Sequence, residues 1–593
     1  MAVEVGLKRL KTNASLRGWK QAGGVLGMML AATVAAGAAT VPDFGPNVFV
    51  FRPGMPASAM QAQIDKVYAI EHENEFGAQR YAFLFLPGQY RVNISIGYYT
   101  EVAGLGGSPD DVHITGNVHA DASARNNNAT ITFWRGVEGF AVTPTGGATE
   151  GTMKWAVSQA APMRRMHIEG SLVLHQLHGW ASGGWMADTK VDGNVGSGTQ
   201  QQWISRNCAW GSWTGANWNM VFVGVKNAPA GEWPEPPYTK VAETPVVREK
   251  PFLMVDKAGR YSVRVPALRH NSVGVTWEGG ATPGRSIPLG RFYIAHAGTD
   301  TAATINAQLA RGKDLLLTPG VYELSEALHV TRPDTVVLGL GFATLRPVDG
   351  TAAMTTADAS GIIVAGILFD AGPVQSPVLL QIGPKGSLAD HAKDPISLHD
   401  VFFRVGGAGP GKTLENLEVN SNDTIIDHTW IWRADHGKGV GWTVNTSNNG
   451  LVVNGNDVTA YGLFVEHHQQ YQVLWSGERG RTYFYQSEIP YDAPDQAVYT
   501  SGTGVDGWAS YKVADAVRHH EAWGLGIYSV FNYPHVFLTR AIEVPQTTSV
   551  RFHHMITVAL GRQGGAIRNV INDAGGSTQP APVRVTPKVT NYP

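Results

Sequence analysis

Apolar and polar positions alternate along most of this 593-residue chain in short bursts of period two, punctuated by turn residues every few positions. GLVVNGNDVTAYGLFVEH and RTYFYQSEI are typical: Val, Leu, Phe and Tyr interleave with Asn, Asp, Thr and Gly. The pattern predicts many short strands and few helices. Two stretches carry helical spacing instead, SAMQAQIDKVYA and TAATINAQLARG.

Each helical stretch opens the same series of signals. An apolar strand, Pro-Gly-x-Tyr, an alternating strand and Gly-Leu-Gly follow in residues 81–107 and again in 314–341, with Pro87 matching Pro319 and Gly104 matching Gly339. The chain therefore reads as all-β and duplicated, with a unit of roughly 235 residues. Short strands, asparagine-rich turns and rungs near ~20 residues favour two tandem right-handed parallel β-helices over a sandwich. The helix at the start of each coil is expected to cap its open end. A Gly/Pro-rich join at residues 276–290 separates a first coil (39–280) from a second (281–593), and APAGEWPEPPYTKVAETP reads as a long surface loop or tie.

Composition narrows the function. Charged residues are 16% of the chain, the net charge is -2 and the pI is about 6.9. No basic surplus exists to hold a phosphate backbone, so nucleic acid is excluded as an expected partner. Neutral amides and hydroxyls beside Trp 17 and Tyr 19 suit an uncharged polyhydroxy ligand, although aromatic residues are also ordinary core. Cys208 is the only cysteine, so no intrachain disulfide and no cysteine metal site is expected. Residues 1–38 read as an export signal: Lys8, Arg9, Lys11, Arg17 and Lys20 precede an apolar run and a small-residue cleavage site at Ala36-Gly37-Ala38. The mature protein is expected to be secreted, extracellular or periplasmic, with no membrane partner and as a monomer.

The candidate chemistry lies in the second half. Glu466 and Glu488 are 22 residues apart, close to one rung, which stacks them on one face of a coil. Adjacent carboxyls cannot both ionise easily, and aromatic neighbours raise a carboxyl pKa further, so one stays a general acid while the other serves water. Pairing of Glu466 with His467 or Arg479 is the structural alternative. Glu478, between Gly477 and Arg479, reads as an exposed salt-bridged turn. Trp430 and Trp432 share a strand face, as a sugar platform or an internal ladder. His436 lacks a second ligand at metal-binding spacing, so no metal and no cofactor is expected. In the first half, Ser182, Gln201 and Gln202 stand among tryptophans, where amides suit sugar hydroxyls or a positioned water and equally suit coil filling.

The duplicated LPGQY…GLGG and TPGVY…GLGF units, with SGGWMAD, QQWISRN, WIWRADHG and NGNDVTAYGLFVEHHQQYQVLWSGERGRTYFYQSEIPYD, resemble glycoside hydrolase family 55, the β-1,3-glucanases or laminarinases. The resemblance covers essentially the whole mature chain. It implies two β-helices side by side in a rib-cage shape, a sugar cleft between them, and exo-acting, inverting hydrolysis of β-1,3-glucan. It also implies Glu488 as general acid and Glu466 as a water-binding group helped by Gln202, Gln201 and Ser182, with Trp432, Asp435, Trp442 and Tyr491 lining the cleft. A pectin-type β-helix lyase or hydrolase and a non-catalytic glycan-binding β-helix are the competing readings.

Overall fold

The computed structural model describes residues 41–593 except 123, 124, 148, 562 and 563, so the expected export segment, 1–38, lies outside the described residues. The chain winds as two parallel β-helices. In the first, a nine-stranded sheet runs from Val48–Phe51 to Tyr238–Val241, and a ten-stranded sheet forms the remaining faces. In the second, sheets of twelve and eight strands stack from Phe292–Ala295 onward, and Lys588–Tyr592 closes the larger one antiparallel to Val550–Ala559.

Helix α1 (Ala57–Glu71) buries Met60, Ile64 and Val67 over the open end of the first stack. Helix α2 (Ala302–Ala310) buries Ile305 and Leu309 over the second, and Thr301 and Thr304 form its capping box. Both helices follow the spacing read from sequence.

Why so many strands are apolar throughout is explained by the two coils sharing a seam. Along Ile425–Arg433, Ile426 and Ile431 fill the interior of the second coil, while Trp430 and Trp432 face the first. Along Gln202–Arg206, Trp203 points into its own coil and Ile204 into the seam. Period two therefore separates two buried faces rather than buried from wet.

The seam also carries buried charge. Arg164 of the first coil pairs with Asp400 and Asp427 of the second, and Arg206 pairs with Asp427 and Glu249, all at 2.7–2.9 Å. Asp400 and His428 both take positive φ (50° and 74°), which bends their strands beside this charge cluster.

The join differs from expectation. The rungs of the first coil stop at Val241, and residues 244–288 form two small antiparallel sheets rather than a linker. Leu253, Val263 and Ile287 cover Leu84 of the first coil and Leu316 and Leu338 of the second. The proline-rich stretch before it is a tie: Trp233 packs on Tyr528, Ile556 and Val558, and Lys588 Nζ donates to the Pro234 carbonyl. Rungs are also longer than twenty residues in places. Gly480 pairs with His520, and the excursion between them carries a small hairpin, Thr500–Gly502 with Val505–Asp506, before the coil resumes at Tyr511–Val513.

Candidate active site

The site is built from one column of the large sheet in the second coil. Trp432, Glu466, Glu488 and Tyr528 are direct partners on four successive strands. Leu463, Val465 and Tyr485 on those strands point into the coil, so the two glutamates point out of it. Where the coils diverge, the outward face opens into a cleft of about 220 Å³. The first coil supplies Thr130, Ile131, Phe133, Gln159, Ser182 and Gln201 to the opposite wall.

Glu466 is buried, 3% exposed, and both its oxygens are claimed by donors. Gln159 Nε2 donates to one at 2.8 Å, and Trp430 Nε1 donates to the other at 2.8 Å. Burial raises its pKa to about 7 against these bonds and that of Gln486, with the Asp435 charge adding to the rise. Glu488 is half-buried; Tyr491 OH donates to it, and Gln486 Nε2 lies 3.5 Å from it. Burial, then the Glu466 and Asp435 charges, hold the Glu488 carboxyl well above the usual carboxylate range. Glu466 sees only N–H donors, which favour its ionised form. The pair therefore keeps one proton, and Glu488 holds it.

Asp435 and His436 form the rim. Burial would raise Asp435, but the His436 hydrogen bond and the His467 ring hold it at about 2. Burial works against the His436 imidazolium, yet Asp435 and Glu75 on its two nitrogens, at 2.9 and 2.7 Å, raise it to about 10. His436 is thus a charged strut from the rim to the loop after α1. Phe76 of that loop lies parallel to Trp432 at 6.1 Å and edge-on to His436 at 5.6 Å. Trp430 and Trp432 stack at 4.7 Å, with Phe133 4.6 Å from Trp430. Arg433 grips Asp492 at 2.8 and 2.9 Å, which pins the loop that carries Tyr491 against the His467 ring.

Of the residues singled out from sequence, Glu488, Glu466, Ser182, Gln201, Trp432, Asp435 and Tyr491 line this cleft together. Gln202 and Trp442 do not. Gln202 shares the seam face with Ile204 and donates to the Ser182 carbonyl at 3.0 Å, behind the wall. Trp442 packs on Tyr499 and under Arg433, outside the lining. Glu478 sits half-buried at a turn and accepts from the backbone N–H groups of Arg518 and His519, while the flanking Arg479 pairs with Asp457 instead. Sequence reading missed Gln159, whose side chain reaches across the seam to Glu466 from 307 positions away. A lone glutamine before a strand gives no periodic signal.

A family model for the LAM55 pectate lyase-like domain matches residues 292–488, a span that ends at Glu488. The chain is 49% identical over 554 residues to an exo-beta-1,3-glucanase of Streptomyces sp. (strain SirexAA-E / ActE), covering 93% of this chain and 90% of that one. The solved structure of sacteLam55A from Streptomyces sp. SirexAA-E superposes with a TM-score of 0.90 at 48% identity, over 93% of this chain and 99% of that one. A glutamate-to-alanine variant of sacteLam55A in complex with glucose matches with the same TM-score, identity and coverage. Identity of this order over 93% of the chain, on the same fold, places the chain in glycoside hydrolase family 55, the Lam55 laminarinases.

Proposed function

We propose that this chain is a secreted exo-β-1,3-glucanase that removes glucose from chain ends with inversion. The observation that carries the reading is the in-register pair Glu466 and Glu488, opening into one small cleft with Trp432, Asp435 and His436. Its volume lies below the ~300–1,000 Å³ of ordinary ligand clefts, which suits one terminal sugar better than a chain passing through.

In the proposed reaction Glu488 gives its proton to the glycosidic oxygen as the bond to the anomeric carbon breaks. A water oxygen attacks that carbon from the opposite side and passes its proton to Glu466. Ser182 Oγ, 3.4 Å from Gln159 Oε1, and Gln159, bonded to Glu466, form the polar corner in which such a water would sit. Glu466 takes a bond from Gln159 of the first coil and Glu488 one from Tyr491, so the two carboxyls are held by different partners. Trp432 and Phe133 offer apolar faces to a sugar ring in the cleft.

Polygalacturonate fits poorly. The cleft presents Asp435, Glu466 and Glu488, and among the described residues no lysine or arginine lines it to receive a uronate. Export rests on the basic start and the apolar run of residues 1–38.

A time course on laminarin tests the reading: glucose alone should appear early, and ¹H NMR of the first product should show the α-anomer. An early ladder of oligosaccharides would reject exo action, and β-glucose would reject inversion.

The rim charge sets the pH range. Asp435 raises both glutamates, so Asp435→Asn should let both ionise at lower pH. The rising limb, ionisation of Glu466, and the falling limb, proton loss from Glu488, should both move toward acid by about half a unit. The dependence of kcat/KM on pH reads this directly; an alkaline shift would contradict it.

A further inference from the structure

We propose that a second groove on the outer face of the second coil binds an oxyanion, a phosphate or a uronate carboxylate, remote from the cleft. It lies at the opposite end of the strands that carry the acid pair. Arg481 and Glu488 stand seven residues apart on Gly480–Glu488, about 20 Å at ~3.3 Å per residue. The hollow measures about 230 Å³, and Arg479, Arg481, His519, Glu521, Ser549 and Arg551 are among the residues that line it.

Strand register puts the charges there. Arg481, Glu521 and Arg551 are direct partners on three successive strands. Their neighbours Ala522 and Phe552 fill the coil, so the row of three faces out of it. One carboxylate therefore stands between two guanidinium groups, and it also lies 3.6 Å from His553 Nε2. Arg479 is already satisfied by Asp457, at 2.8 and 2.6 Å. Arg481 is not. It is half-buried, and its guanidinium has no hydrogen-bond or ion-pair partner among the described residues. Arg551 uses only its Nε, which donates to the Thr548 carbonyl at 3.1 Å.

The groove thus holds more positive charge than its one carboxylate offsets, with open N–H forks on both flanks. Planar forks of this kind match the paired oxygens of a phosphate or carboxylate. The chain carries a net charge of -2, so the attraction is local and not the field of a basic protein. The catalytic cleft has the opposite character, with Asp435, Glu466 and Glu488 in its lining. An acidic polymer held at the groove would leave the cleft free for a neutral chain.

The test uses two probes on the full chain. Isothermal titration with inorganic phosphate at low salt reads the free anion, and retardation in gels containing polygalacturonate reads the uronate polymer. The wild type should bind at least one of them. Arg481→Ala/Arg551→Ala should bind that probe about tenfold or more weakly, as expected for lost charge-assisted hydrogen bonds, while glucose release from laminarin stays unchanged. Glu521→Gln removes the competing carboxylate and should tighten binding, a gain that a folding defect would not produce. Heat with phosphate but no gel retardation assigns the site to the free anion, and retardation without phosphate heat assigns it to a uronate chain. Binding of neither probe by the wild type, undiminished binding by the double variant, or binding by Glu521→Gln no tighter than wild type overturns the proposal.

Discussion

Glu488→Gln is expected to fold as the wild type does and to lose about 10²–10⁴-fold in kcat/KM on laminarin, the usual contribution of a positioned general acid. Glutamine keeps the shape and the hydrogen-bonding reach toward Tyr491 but has no proton to give. Folding should not suffer, because burial and the nearby Glu466 and Asp435 charges already favour the neutral form of the carboxyl it replaces. The raised pKa means that this carboxyl costs stability as pH climbs from the unfolded carboxylate value of ~4 to the folded one, where the cost is complete, so the variant should gain on the wild type across that window. Thermal unfolding at pH 7 and at high pH checks this half of the prediction. The activity half has an internal control. A β-glucoside with an acidic phenol as leaving group needs little protonation, so it should be cleaved by Glu488→Gln far better than laminarin is. Glu466→Gln should lose both substrates alike, because the water is needed in either case. Near-wild-type glucose release from laminarin by Glu488→Gln would remove the residue from the acid role.

That the acid pair could be read from sequence depends on an accident of rung length. No long loop intervenes between Thr459–Glu466 and Gly480–Glu488, so 22 residues make one full turn and bring the two carboxyls into register. The next turn, from Gly480 to His520, carries a loop of the sort that erases such a period. The two coils were legible because local alternation and the repeated Pro-Gly-x-Tyr signals are properties of single strands and turns. Which turn of one coil faces which turn of the other is a property of their docking, and no local period reports it. Gln159 was therefore invisible, although it touches Glu466. The choice between Gln201 and Gln202 shows how fine the margin is. In a strand one step swaps faces, so Gln201 lines the cleft and Gln202 sits in the seam with Ile204. Trp442 was misplaced for a related reason: it lies in a loop after the strand of Trp430 and Trp432, where strand periodicity no longer applies. One signal was present and unused. Asp400 and Asp427 interrupt the otherwise apolar runs of Ser397–Val405 and Ile425–Arg433, and a charge in the middle of a doubly buried strand needs a buried partner.

Those partners make Asp427 the expected weak point of the whole assembly. It accepts from Arg164 at 2.8 Å and twice from Arg206 at 2.9 Å, with the His399 ring at 3.3 Å, in full burial. Burial alone would raise its pKa, but the Arg206 and Arg164 charges drive it far below the usual range. Asp427→Asn keeps the size and removes the charge, leaving Arg164 with Asp400 and Arg206 with Glu249 as remaining anions. Breaking one side of a buried pair typically costs about 3–5 kcal/mol, because a desolvated cation is left partly uncompensated. That exceeds the ~1.5–3 kcal/mol from burying one large apolar side chain, so the loss should outweigh any single contact of the aromatic seam. Urea unfolding at pH 7 should show a lower midpoint for the variant. The depressed pKa fixes the pH dependence: the stabilisation is present above the unfolded carboxylate value of ~4 and is lost as pH falls through the folded one. The gap between wild type and Asp427→Asn should thus stay constant from about pH 5 to 8 and close only in strong acid. The active site samples the same docking, since Gln159 and Glu466 belong to different coils. If the charge network holds the coils together, Asp427→Asn should lose activity in urea before its strands unfold. If the stacked tryptophans hold them alone, the midpoint should move by less than about 1 kcal/mol and activity should track unfolding as in the wild type.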